Sequence, residues 1–132
     1  MYRRILLASD GSSHAERAGG EAIKLASLHN GKVTLVYVKP VSQGRRGFND
    51  EVTSVQKKLE KTEQLLKSAN VTYQIEVLEG EPGPSIVTYA NENAYDILVI
   101  GSRGLNDFQG MVLGSVSHKV AKRTHCPVLV IK

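Results

Sequence analysis

The chain has 132 residues, a formal charge of +4, 41% hydrophobic and 5% aromatic residues, no tryptophan and one cysteine. One domain over residues 1–132 is expected, long enough to bury a core, and the single Cys126 excludes an internal disulfide. No apolar run reaches the roughly 18 residues of a membrane helix, and Lys and Arg are scattered without the basic and aromatic interleaving of single-strand nucleic-acid binders, so neither a membrane nor a nucleic acid is an expected partner.

So few aromatics leave the core to Val, Ile, Leu and Ala, which suits strands buried on both faces of a parallel sheet. The apolar run "RILLAS" (Arg4 to Ser9) predicts a first strand, stopped by "DGSS". Ser13 and Glu16 have capping-box spacing, which predicts a helix start there. Ala15, Ala18, Ala22, Leu25 and Ala26 repeat at helical spacing, small enough to let that helix approach a sheet. "HNG" is a stop in which Gly31 can turn left-handed. "KVTLVYV" (Lys32 to Val38) is β-branched and aromatic, a second strand.

"KPVSQGRRGFND" reads as a loop. Its Arg45 and Arg46 are either solvated or able to fold over a bound anion. Phe48, Val52, Val55, Leu59, Thr62, Leu66 and Ala69 then mark one face of an amphipathic helix. "VTYQIEVLEG" (Val71 to Gly80) alternates as an edge strand does. "EPGPS" precedes a helix over about Ser85 to Glu92, with the second Pro in its first turn. "YDILVIG" (Tyr95 to Gly101) is a fourth strand. A last helix, about Ser115 to Thr124, places Val116, Val120 and Ala121 on one face and ends in basic residues that suit its dipole. "CPVLVIK" closes the chain as a fifth strand. Strands alternating with helices imply an α/β doubly wound parallel sheet with right-handed crossovers. In such sheets ligands bind beyond the carboxyl ends of the strands, where the strand order reverses.

The stretch "GSRGLNDFQGMVLGSVS" (Gly101 to Ser117) leaves that end of the fourth strand. Gly101, Gly104 and Gly114, followed by Ser115, have the spacing G-x2-G-x9-G-S. Glycines allow close approach to a ligand, and Gly114, Ser115, Val116 and Ser117 offer successive N–H groups and two hydroxyls at a helix start, the chemistry an anion needs. Equally, Gly114 can simply precede the helix, with Ser115 or Ser117 as its cap. The P-loop pattern is absent. Asp10, at a strand end, offers a carboxylate acceptor to a ligand, or it can be a turn residue. Arg103 can pair with phosphate or be solvated. His14, His29, His118 and His125 are dispersed without metal-ligand spacing, and Cys126 before Pro127 reads as a small hydrophobe.

"RRILLASDGS", "VTLVYV", "DILVIGSRG" and "GMVLGSVSHKVAKRTHCPVLVIK" together resemble the universal stress protein family, including the G-x2-G-x9-G-[ST] pattern of its ATP-binding branch. That resemblance implies an adenine nucleotide alpha hydrolase-like fold, five parallel strands in order 3-2-1-4-5 with helices on both faces. It implies adenine and ribose near Ala8, Asp10, Val38 and Ile100, and phosphates on Gly101, Arg103, Gly104, Gly114, Ser115, Val116 and Ser117. The nucleotide would be ATP, or AMP or ADP, with Mg²⁺ at Asp10 as an option. It further implies a homodimer through the C-terminal strand, Val128 to Lys132, covering an edge otherwise prone to aggregate. The resulting expectation is a cytoplasmic stress-response protein whose nucleotide signals to a protein partner. A slow ATPase or phosphotransferase, and an interaction protein with an empty glycine loop, are the alternatives.

Overall fold

The computed structural model describes residues 2–41, 48–102 and 115–132. In chain order it contains β1 (Arg4–Ala8), α1 (Ser13–His29), β2 (Lys32–Lys39), α2 (Phe48–Ser68), β3 (Thr72–Glu79), α3 (Pro82–Glu92), β4 (Ile97–Gly101), α4 (Ser115–Arg123) and β5 (Val128–Ile131). All strand pairings are parallel, and the sheet order is β3-β2-β1-β4-β5. The expected order 3-2-1-4-5 is therefore the observed one.

Side chains alternate across the sheet, as the two-residue period of a strand requires. Ile5 and Leu7 of β1, Val33, Leu35 and Tyr37 of β2, and Ile97 and Val99 of β4 point to one face. There they meet Ala18, Ala22 and Ala26 of α1 and Leu59 and Leu66 of α2. Leu6, Ala8, Val36, Val38, Leu98 and Ile100 point to the other face, against Ile86 and Ala90 of α3 and Val120 of α4. The central strands must be apolar throughout because both their faces are covered. β3 pairs only with β2 and is half wet, as its alternation predicted.

The local signals were read one residue off at both ends of α1. Its N-cap is Ser12, not Ser13: the Ser12 hydroxyl accepts from the Ala15 N–H at 3.2 Å. At the other end Asn30, not Gly31, takes the left-handed conformation, with φ of 54°. Gly31 is required for a different reason. A Cβ there would stand 2.8 Å from the Tyr2 carbonyl oxygen, because the chain enters β2 against the start of β1.

Two other boundaries move, and the buried face of α4 shifts. α3 begins at Pro82, before the expected Ser85, because a proline at the first helical position gives up only an N–H that has no intrahelical partner. α2 stops at Ser68, Asn70 turns left-handed with φ of 57°, and Ala69 is exposed. On α4 Ala121 is exposed, and Ser117 joins Val120 on the buried face.

At the amino ends of the strands, the Asp96 carboxylate accepts from the Arg3 and Arg4 N–H groups at 3.0 and 2.8 Å. The Arg4 guanidinium lies 5.0 Å from the Tyr95 ring centroid. These contacts tie the amino end of β1 to the start of β4.

Candidate functional site

The order of the sheet reverses at β1, which has β2 on one side and β4 on the other. Ala8, the last residue of β1, is in register with Val36 of β2 and Ile100 of β4. Asp10 and Val38 each lie two residues past that line, and Gly101 and Ser102 one and two. Ala8, Asp10, Val38, Ile100 and Gly101 are thus gathered at one end of three adjacent strands. Ala8, Val38, Ile100 and Gly101 are buried and Asp10 is half-buried.

The β1–α1 turn is built by its own side chains. The Ser9 N–H donates to the Val36 carbonyl at 3.0 Å, so the chain leaves β1 still tied to β2. The Gly11 N–H donates to the Ser9 hydroxyl at 3.1 Å, and the Ser12 N–H to Asp10 Oδ1 at 2.9 Å. Gly11 has φ of 82°, a conformation that L side chains rarely adopt. Asp10 is therefore a turn residue, one of the two roles its position allowed. A carboxylate has two oxygens and about four lone-pair sites, so one backbone bond leaves acceptor capacity for ribose hydroxyls or a cation.

The start of α4 lies beside the carboxyl end of β4. Ser115 is its first residue and is exposed, Val116 is half-buried, and Ser117 is buried. The first N–H groups of a helix have no intrahelical acceptor and carry the positive end of its dipole. The Ser117 hydroxyl donates to the Gly101 carbonyl at 2.5 Å. That bond joins the start of α4 to the end of β4. β4 is itself held beyond its last residue, since the Ser102 N–H donates to the Ile131 carbonyl at 2.7 Å. Arg103, Gly104 and Gly114, and with them most of the glycine-rich stretch, lie outside the described residues, as do Arg45 and Arg46.

Lys58 of α2 also reaches this end of the sheet, and nothing in the sequence singled it out. A Cβ on Gly11 would stand 2.9 Å from both the Cβ and the carbonyl oxygen of Lys58. Its ammonium donates to the Tyr37 hydroxyl at 3.0 Å and lies 5.5 Å from that ring's centroid. A lysine on the polar side of an amphipathic helix looks like any other solvated charge until the packing of α2 against the turn is known. The other residues set aside by sequence stay apart: His118 and His125 are exposed, and Cys126 is half-buried with its thiol pushed up chiefly by burial.

Residues 1–132 match the universal stress protein family along their whole length. The chain belongs to that family. Among its curated relatives, a universal stress protein of Methanocaldococcus jannaschii is 32% identical over all of this chain and 83% of its own. The universal stress protein YxiE of Bacillus subtilis is 32% identical over the full length of both. Solved universal stress proteins share the fold. One in complex with cAMP superposes with a TM-score of 0.83 at 25% identity, covering 99% of this chain and 97% of that one. One from Archaeoglobus fulgidus in complex with dAMP does so with a TM-score of 0.76 at 25% identity, covering 99% and 98%.

Proposed function

We propose that this universal stress protein binds an adenine nucleotide at the carboxyl ends of β1, β2 and β4, and that it belongs to the ATP-binding branch of the family. The observation that carries the reading is the bond from Ser117 to Gly101, which seats the electropositive start of α4 beside the end of β4, at the point where the strand order reverses. The complexes of two related proteins with cAMP and dAMP support an adenine nucleotide as the ligand class.

The donor set fits such a ligand. Adenine and ribose would lie near Ala8, Val38, Ile100 and Asp10, with main-chain groups of Val38 for the base edge and the Asp10 carboxylate for ribose hydroxyls. Phosphates would lie on the main chain of Gly101, Gly104 and Gly114 to Ser117, with the exposed Ser115 hydroxyl and the Arg103 guanidinium adding charge-assisted bonds. Mg²⁺, if bound with ATP, would offset the repulsion between Asp10 and phosphate. The chain's own residues bind and orient. The nucleotide acts as a signal: the liganded form is the one a protein partner or a second subunit reads. The edge strand β5, with Val128 to Ile131 half-buried, is the surface we assign to pairing with a second copy. The setting is the cytoplasm, in keeping with the unpaired Cys126.

The experiment is to denature freshly purified protein, identify any released nucleotide by mass spectrometry, and titrate the nucleotide-free protein with ATP and Mg²⁺ by calorimetry. Co-purified ATP or AMP, or saturable binding with one site per chain, is expected. Absence of both overturns the reading in favour of an interaction protein with an empty loop. Time-dependent ADP production that vanishes in Asp10→Ala favours the slow ATPase instead.

A further inference from the structure

Serine in a helix commonly spends its hydroxyl on its own backbone, bonding a carbonyl one turn back. Ser117 does not. Its hydroxyl reaches a carbonyl sixteen residues earlier, on another element of the fold, at 2.5 Å, which is the short end of the hydroxyl range. Both partners are buried, Ser117 with 3% of its surface exposed. Losing such a buried bond is costly, because a buried carbonyl left without a donor carries its full desolvation penalty. Val120, one turn further along the same face of α4, is fully buried under the sheet. Ser117 is therefore the polar end of the contact by which α4 sits on β4.

We propose that Ser117 is a positioning residue of the nucleotide site: its hydroxyl fixes the first turn of α4 relative to Gly101, while a phosphate would meet only its main-chain N–H. The proposal rests on the nucleotide reading above and refines it, because it removes the Ser117 hydroxyl from the direct phosphate contacts and leaves the exposed Ser115 hydroxyl available for them. The physical need is plain. The two groups of donors assigned to the phosphates lie on different elements, the end of β4 and the start of α4. Preorganised donors bind well only while their spacing is held, and a terminal helical turn frays unless something anchors it. The hydroxyl of Ser117 is the described side-chain bond that joins those two groups directly.

The test compares wild type with Ser117→Ala and Ser117→Thr, the second of which keeps a hydroxyl. Two readouts are taken: hydrogen exchange of the α4 amides without nucleotide, and affinity for ATP beside affinity for adenosine. The proposal expects faster exchange over His118 to Arg123, the amides that α4 itself protects, in Ser117→Ala alone. It also expects about tenfold weaker ATP binding in that variant, the scale of one lost hydrogen bond, with adenosine affinity unchanged. Ser117→Thr should restore both. Weaker ATP binding with unchanged exchange would make the hydroxyl a direct phosphate ligand and overturn the proposal. Faster exchange with unchanged ATP affinity would reduce the bond to a purely structural one and overturn it too. If wild type itself binds neither ATP nor adenosine, the nucleotide reading falls and takes the positioning role with it, while the exchange data still report whether the anchor exists.

Discussion

Gly11→Ala perturbs the turn that holds Asp10, and its cost can be worked from geometry. Gly11 has φ of 82°, and a left-handed conformation costs a residue with a Cβ about 1–2 kcal/mol. The new Cβ would also stand 2.9 Å from the Cβ and the carbonyl oxygen of Lys58. The carbonyl belongs to α2 and cannot swing aside like the tip of a side chain, so relief requires the turn or the helix to move. Overpacking of that kind costs about 1–3 kcal/mol. Together the two effects predict a loss of about 2–5 kcal/mol, a large part of the roughly 5–15 kcal/mol that stabilises a typical domain. For a chain of this size that corresponds to a fall in Tm of about 7–18 °C. The assay is urea unfolding followed by circular dichroism, where the midpoint should fall while the slope stays constant. Gly20→Ala is the control. A Cβ at Gly20 meets nothing within 4 Å, so alanine in that helical position should stabilise by about 0.5–1 kcal/mol. A Gly11→Ala protein within about 0.5 kcal/mol of wild type, the range of a neutral surface change, would refute the reasoning about this turn.

Three further outcomes are expected. Asp10→Asn keeps a side-chain oxygen for the Ser12 N–H, so its Tm should match wild type while adenine-nucleotide affinity falls about tenfold or more for the lost charged acceptor; wild-type affinity in calorimetry would remove Asp10 from the site. Thr62 is 1% exposed and its hydroxyl has no hydrogen-bond partner among the described residues, so Thr62→Val should raise stability by about 1 kcal/mol in denaturant titration, and a loss would reveal a partner. Tyr73, by burial first and then by its 2.7 Å bond to Glu63, has its phenol pushed up to about 12, above an ordinary value of 10.0. Between those values the folded chain holds a proton that the unfolded chain has released, so stability falls as pH rises through that window. Tyr73→Phe should make that fall shallower, and an unchanged alkaline slope would contradict the assignment.

The sheet was legible because burial on both faces leaves little choice of residue. "ILLA" and "ILVI" read as strands, and both are buried strands. Strand order is not a property of any one segment, and it came from the family resemblance. Caps were less legible: "DGSSH" holds two serines, and which of them caps α1 depends on the bond from Ser12 to Asp10, a choice made by the turn. Likewise "HNG" offers two residues able to turn left-handed, and the close approach of Gly31 to Tyr2 decides between them. The candidate site could be drawn from the sequence at Asp10 and the start of α4, where residue type and position along the chain coincide. It was not legible in Lys58, whose position depends on how α2 packs, nor in the direction of the Ser117 hydroxyl, since a helical serine has several acceptors within reach.

The most direct test of the central claim is amide chemical-shift mapping by NMR on the isotopically labelled protein as ATP and Mg²⁺ are added. Binding at the carboxyl ends of the strands predicts saturable shifts at Ala8 to Ser12, Val38, Ile100 to Ser102 and Ser115 to Ser117, with the Arg4 to Tyr95 end unmoved. Shifts centred elsewhere, or none at saturating nucleotide, would contradict it.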